Sequence, residues 1–404
     1  MCTSYKFNPK IGAGLTFLCM LIGSNQAVAF NLLDGRMQVH GFVAQSMINT
    51  SGNNFLGETN DNISFDFREI ALNASYRAQP DLQFSGQIMS HRAGESDNGS
   101  PDIDYAFIDW TALSGEWGRA GIRLGRVKNP YGLYNITRDV PFTRSSVLVP
   151  QSIYFERTRK LSVSADGINL YLDKASPWGT FTAEAVLGYP LLDDASEQAI
   201  IPKSVAKGDF ETDFTQLYQL KYESPSSQWM LAVTYLNLGV SYDPVQGDFL
   251  QAGQFDFNPT ILSAQYSAEN WSLTGEYAYR KVSLQDFGIP QLTASQVAES
   301  YYLQGTYNVL PKWELVLRYE VAFGNRDDRD GNNYAAASGS PAFTQYTKDW
   351  TVGLRYDVTP SVMLRAEYHS IEGTSILSSL DNPLGPSSYD KHWDMWMLLA
   401  SYRF

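Results

Sequence analysis

Residues 128–163 carry a local excess of positive charge in a chain that is acidic as a whole. Lys128, Arg138, Arg144, Arg157, Arg159 and Lys160 fall there against Asp139 and Glu156, and Arg119 and Arg123 stand just before them. Arg119 and Arg123 are four apart, which puts both on one face of a strand. Ammonium and guanidinium groups massed in this way attract anions by focusing the local field. The same groups can instead pair with carboxylates such as Asp104, Glu184, Glu276, Glu314, Glu320, Asp357 and Glu367, which would fix the segment in place. Other chemistry is poorly supported. His40, His91, His369 and His392 have no metal-ligand spacing, and no G-x-S-x-G elbow occurs. His369 near Glu367 is the only hint of an acid–base pair. Residues 325–333 look faintly like a calcium loop, but Arg326 stands at the first ligand position and no closing Glu follows. They read as a hydrated tip. No enzyme, metal or cofactor is expected.

These charges need a frame, and the N-terminus says where that frame is built. Lys6 and Lys10 form a basic start, residues 11–22 are mostly apolar, and Ala27-Val28-Ala29 is a small-x-small cleavage site. Residues 1–29 are therefore expected to be a cleaved signal peptide, leaving 30–404 as one domain. Both cysteines, Cys2 and Cys19, lie in the leader, so no disulfide is expected in an exported protein that must be stabilised otherwise. Losing Lys6 and Lys10 takes the formal charge from −13 to −15, which argues against nucleic-acid partners.

No segment after residue 30 has the roughly 18 apolar residues of a spanning helix. Aromatic residues nevertheless make up 14% of the chain, a level that suits alternating strands with interfacial belts. Candidate strands lie near 36–49, 62–77, 82–92, 102–112, 119–127, 164–173, 179–189, 211–223, 228–238, 256–268, 270–282, 299–309, 312–323, 348–358, 361–371 and 392–404. The expected fold is all-β, a sixteen-stranded antiparallel transmembrane barrel. Short turns such as Gln79-Pro80-Asp81 and Thr359-Pro360 alternate with long connections, as tight periplasmic turns alternate with external loops. Trp110, Trp117, Trp178, Trp229, Trp271 and Trp313 sit beside short turns, and Trp350 and Trp393 at the opposite ends, giving two belts. Mid-strand charge cannot face lipid cheaply, because Lys or Arg at the midplane costs roughly 2–4 kcal/mol. Glu314, Arg318, Glu320, Arg355, Asp357, Arg365 and Glu367 are therefore expected on a wet lumen wall. The second strand changes phase between Phe67 and Ile70, which a bulge near Arg68-Glu69 would explain.

Trp396, Leu398, Ala400, Tyr402 and Phe404 share one face of the last strand. This ending resembles the terminal signature of bacterial outer-membrane barrels, where the final aromatic is read by the barrel assembly machinery. That assigns Phe404 an assembly role. Sixteen strands, a large third loop and a terminal Phe also look like the general porin architecture. The resemblance implies a third external loop folded inward at residues 128–163, an outer-membrane location in contact with lipid and lipopolysaccharide, and a homotrimer. Residues 125–132, Gly-Arg-Val-Lys-Asn-Pro-Tyr-Gly, are similar to a strand-to-loop passage of the phosphate-selective porin O and P family. The lysine-rich ladder of that family is not present, so its phosphate preference is not implied.

The function this implies is passive diffusion of small hydrophilic solutes, with an anion preference set by the third loop. Its constriction residues would be Arg119, Arg123, Lys128, Arg138, Arg144, Glu156, Arg157, Arg159 and Lys160. One alternative is a solute-specific channel for an organic acid or a sugar, with Tyr131, Tyr134, Phe142, Tyr154 and Phe155 as a slide for sugar rings. The same aromatics could simply pack the loop. A non-conducting structural or adhesive barrel is the alternative from another class.

Overall fold

The computed structural model describes residues 30–289 and 293–404, so the signal-peptide reading of residues 1–29 lies outside the described residues. Sixteen long strands run β1 Met37–Thr50, β2 Phe67–Gln79, β3 Leu82–Ala93, β4 Asp97–Gly115, β5 Gly118–Lys128, β6 Ser164–Ser176, β7 Gly179–Pro190 and β8 Thr215–Glu223. They continue as β9 Trp229–Asp243, β10 Gly253–Ser267, β11 Trp271–Gln285, β12 Ala294–Leu310, β13 Trp313–Phe323, β14 Tyr346–Thr359, β15 Val362–Gly373 and β16 His392–Arg403. Each pairs antiparallel with the next, and β16 pairs with β1, Trp396 lying opposite Asn49, so the sheet has no free long edge. Two short strands, Phe30–Leu32 and Asp209–Thr212, add to β1 and β9. The first was not foreseen in the sequence, and the second splits off from the strand expected over 211–223.

The period-two pattern decides which way each side chain points. On β13, Trp313, Leu315 and Leu317 are exposed, whereas Val316, Arg318 and Glu320 are buried. On β16, Trp396 and Leu398 face out while Met395, Met397 and Leu399 face in. An apolar row left exposed around a closed sheet is what lipid requires, and mid-strand charge is excluded from it. Aromatic rings meet at both ends of the strands. Trp313 stacks on Tyr356 at 4.3 Å beside a short turn, and Tyr368 meets Trp396 at 4.5 Å near the opposite ends. At the β1–β16 seam the Phe404 backbone N–H donates to the Gly41 carbonyl (3.0 Å), and the Phe404 ring occupies the space a Cβ at Gly41 would need.

Three expectations are corrected. No bulge occurs at Arg68-Glu69: β2 begins at Phe67, and its pairing to β1 and β3 runs unbroken past both residues. The phase change has another cause, since Ile63 and Phe65 lie before the strand, where Ser64 bridges to Ile48. Trp393 leaves the belt; its ring is buried and its Nε1–H donates to the Gly373 carbonyl at 3.1 Å. The connection after β3 shrinks to residues 94–96, because β3 and β4 extend past the expected boundary as a hairpin.

Candidate functional site

β5 and β6 are neighbours, paired through Lys128 and Ser164, yet residues 129–163 separate them. The neck is closed by Asn129 N–H to the Val163 carbonyl (3.0 Å) and by the Asn135 amide, which donates to the carbonyls of Asn129 and Ser162 (3.0 and 2.8 Å). Within the loop there are only two short 3-10 turns, Pro141–Thr143 and Glu156–Thr158, and one five-residue helix, α1 Arg159–Val163. Most of its backbone N–H and C=O groups therefore need partners from elsewhere.

The barrel wall supplies many of them from acidic and basic side chains. The Val147 N–H donates to Glu367 (2.5 Å), the Ser152 N–H to Glu320 (2.7 Å) and the Leu133 N–H to Glu276 (3.0 Å). In the other sense, Arg318 donates to the Leu148 carbonyl (3.2 Å), and Arg365 to those of Pro141 and Ser146 (2.9 and 3.0 Å) and of Arg144. Arg318/Glu320 on β13 and Arg365/Glu367 on β15 are each two residues apart, hence on one face. Each pair offers a donor beside an acceptor, as the backbone of a strand edge does, and the loop is received accordingly. Gln219 on β8 extends this to the carbonyls of Pro130 and Gly132, both at 2.9 Å.

Apolar packing works with these bonds. Tyr131, Val149, Ile153 and Tyr154 of the loop join a buried cluster with Val186, Leu217, Leu236 and Ile261 of the wall. Phe142, Val147 and Leu148 join another with Ala44, Met363 and Met397. The loop thus meets the wall on widely separated arcs of the circle, folding into the bore. Tyr131, Phe142 and Tyr154 are buried in that packing, which removes them from any sugar slide; Tyr134 and Phe155 remain partly exposed. The Tyr154 hydroxyl donates to Glu276 at 2.5 Å, and burial beside that carboxylate pushes the phenol well above its usual range, so it remains a donor.

The cations expected at a constriction are mostly paired. Arg144 grips Glu69 through two bonds of 2.8 and 2.5 Å, Arg138 donates to Glu156 (2.8 Å) and Arg159 to Asp139 (2.5 Å). Lys128 lies between Asp139 (2.5 Å) and Asp104 (2.7 Å), and Lys160 pairs with Asp102. Lower on the wall, Arg119 meets Asp173 (2.8 Å), and Arg123 meets Asp109 (3.0 Å) and Glu184 (3.5 Å). Arg318 pairs with Glu320 (3.1 Å) and Arg355 with Asp357 (3.0 Å), while Glu314 is partly buried on the same inner face. Arg138, Arg144 and Arg159 are 2%, 5% and 8% exposed, so their charge meets carboxylates and not passing solutes. Among the described residues, Arg157 alone of these loop and β5 cations has no carboxylate within ion-pair distance.

Sequence reasoning overlooked Glu69, lost in the supposed bulge, and Arg280, although Arg280 shares an inward face with Glu276. It also missed the partners of His91, and of those of His369 it had only Glu367. His91 lies between Asp97 (3.2 Å) and Glu156 (3.0 Å), and His369 between Asp349 (2.8 Å) and Glu367 (3.4 Å). His91 thus touches the loop's own Glu156, and His369 touches Glu367, which accepts from the loop's Val147 N–H.

The loop carboxylates determine how this assembly responds to acid. Burial alone would raise Asp139, but Arg159, Lys128 and Arg138 hold it well below the usual carboxylate range. Burial is likewise outweighed at Glu156 by Arg138, His91 and Arg159. A depressed carboxyl contributes stability that is complete above its unfolded value of about 4 and is lost only as pH falls through its lower folded value. The loop should therefore resist trypsin equally after incubation at neutral pH and at about pH 5, and open only in much stronger acid. Cleavage at Arg138 or Arg159 after the mildly acidic incubation would contradict this.

The geometry is that of a closed barrel with an inner loop, and comparison with known proteins gives the same answer. A family model described as Gram-negative porin matches residues 17–375. No curated protein matches the chain by sequence. Among solved structures, the anion-selective porin from Comamonas acidovorans aligns at 14% identity and a TM-score of 0.58, over 91% of this chain and 99% of that one. OmpT of Vibrio cholerae aligns at 12% and 0.56, over 93% and 100%, and the outer-membrane channel DcaP of Acinetobacter baumannii at 13% and 0.55, over 93% and 100%. At these identities the neighbours show the fold alone, while the family model spans most of the chain. The chain belongs to the Gram-negative porin family and is an outer-membrane channel for passive diffusion.

Proposed function

We propose that the third loop sets what this porin passes, admitting small hydrophilic solutes with a modest preference for anions. The supporting observation is that acidic and polar wall groups on β2, β8, β11, β13 and β15 hydrogen-bond to residues 129–163. The anion preference has a narrower basis than a ring of loop cations, because most of that positive charge is neutralised. It rests on Arg157 and on Arg280 of β11, which lack carboxylate partners among the described residues. Arg318, Glu320, Arg365 and Glu367 act by holding the loop, whereas Arg119, Arg123 and Arg355 pair with carboxylates of the wall itself.

Further parts of the reading are a cleaved leader over residues 1–29, a single barrel domain over 30–404, and assembly aided by Phe404 through the barrel assembly machinery. No catalytic activity is proposed, and lipopolysaccharide is the expected external lipid partner. Association as a homotrimer is proposed because the V. cholerae OmpT structure includes a trimer form.

The reversal potential of the purified protein in a planar bilayer under a KCl gradient tests the selectivity. The sign should be that of an anion-preferring channel, and Arg157→Glu should move it toward cations. A wild-type potential of cation-selective sign would refute the preference.

A further inference from the structure

Two guanidinium groups inside the barrel share one aromatic ring. Arg157, in the second 3-10 turn of the third loop, donates through Nη1 to the Leu377 carbonyl at 3.2 Å. Arg280, on the inward face of β11, donates through Nη1 to the Ser152 carbonyl at 3.1 Å. Neither has a carboxylate within ion-pair distance among the described residues, and the Nε of each is buried without a hydrogen-bond partner. Both guanidinium groups lie on the ring of Phe155, at 5.4 and 4.9 Å from its centre.

This arrangement is costly as it stands. An arginine carries five N–H donors in a planar fork, and most of these are unused on both residues. Arg280 is only 3% exposed, so water does little to screen it. Burial and the neighbouring Arg280 lower the Arg157 guanidinium to about 10, whereas the carboxylate-paired Arg144 and Arg159 of the same loop are raised. Two like charges brought together in a poorly solvated place, with open donors, form a receptor for negative charge. Fork-shaped donors match the oxygens of a carboxylate or phosphate in pairs. Phe155 adds an apolar surface, and because Phe155 and Arg157 are both partly exposed the place can be reached from the open side of the loop.

We propose that Arg157, Arg280 and Phe155 form a binding site for a small organic carboxylate, its oxygens taking the unused N–H groups and its carbon skeleton lying on the Phe155 ring. This deepens the porin reading, on which its role in permeation rests, by naming the class of anion the bore retains in transit. Binding itself requires only the folded barrel.

The two claims are tested separately. Calorimetry on the folded, detergent-solubilised protein, with benzoate, acetate and inorganic phosphate as probes, reads the site without any conduction. Benzoate should bind saturably and more tightly than acetate or phosphate. Arg157→Gln and Arg280→Gln should each weaken it at least tenfold, and Phe155→Ala should reduce the advantage of benzoate over acetate. Arg326→Gln, in the external loop after β13, should change nothing. Heat-modifiable migration on a gel identifies folded protein; if Arg280→Gln does not fold, Arg157→Gln decides. Absence of saturable benzoate binding to the wild type, or equal binding by Arg157→Gln, overturns the site. Phosphate binding as tightly as benzoate overturns the organic assignment. In bilayers, benzoate should then block chloride current in the wild type and less in the variants. Silent bilayers with intact calorimetric binding would refute the channel reading and leave the site standing.

Discussion

Replacing Arg144 by methionine should unseat the third loop. Arg144 is 5% exposed, holds both oxygens of Glu69 and also donates to the Arg138 carbonyl. Glu69 is 2% exposed. Taking one partner from a buried ion pair leaves the other charge unsolvated, a loss of about 3–5 kcal/mol. The loop has little internal secondary structure to absorb such a loss. The barrel should persist, since its own ladder is untouched, while residues near Arg157 become open to trypsin and single-channel conductance rises severalfold. The double variant Glu69→Gln with Arg144→Met should recover most of the protease resistance, because a neutral pair removes the stranded charge. Unchanged conductance and an unchanged digestion pattern in the single variant would show that this pair does not hold the loop.

Charge reversal at Arg159 should be still more disruptive, and should differ in kind from reversal at Arg157. Arg159 donates to Asp139 and lies 3.7 Å from Asp104 and 3.9 Å from Glu156. A glutamate there would set a fourth carboxylate beside Asp104, Asp139 and Glu156, all of them buried. Lys128, Arg138 and His91 would be too few cations to balance them. The expected result is a displaced loop and noisy, enlarged conductance, with the unfolding midpoint lowered by an amount equivalent to at least about 3 kcal/mol. Arg157→Glu breaks no ion pair and should alter reversal potential while leaving protease resistance intact. If Arg159→Glu instead gave a quiet channel with only a shifted reversal potential, Arg159 would be a lining group and the pairing with Asp139 would be incidental.

Why some of this was legible and some not follows from the range of the interactions. The wall is written in period two, a local signal. β13 was expected over 312–323 and spans Trp313–Phe323; β15 was expected over 361–371 and spans Val362–Gly373. β4 was harder, because Asn98, Gly99 and Pro101 read as turn residues although they stand in a hairpin that continues beyond the apolar band. The aromatic and aliphatic content of residues 128–163 indicated a loop that packs against something. Its fastenings were not legible, since Arg144 and Glu69 are 75 residues apart and Val147 and Glu367 are 220 apart. Counting loop cations gave a surplus; only pairing in space shows that most of it is cancelled, leaving Arg157 and the unforeseen Arg280.

The wall groups that receive Ser152 and Val147 have an implication for biogenesis. Glu320 and Glu367 follow those residues by 168 and 220 positions, so they are synthesised long after the segment they will grip. The segment, tethered at both ends by β5 and β6, can seat fully only once β13 and β15 stand in the wall. A cylinder lacking those sockets would be gaping and unfurnished. The envelope would be most prone to leak while that docking is incomplete.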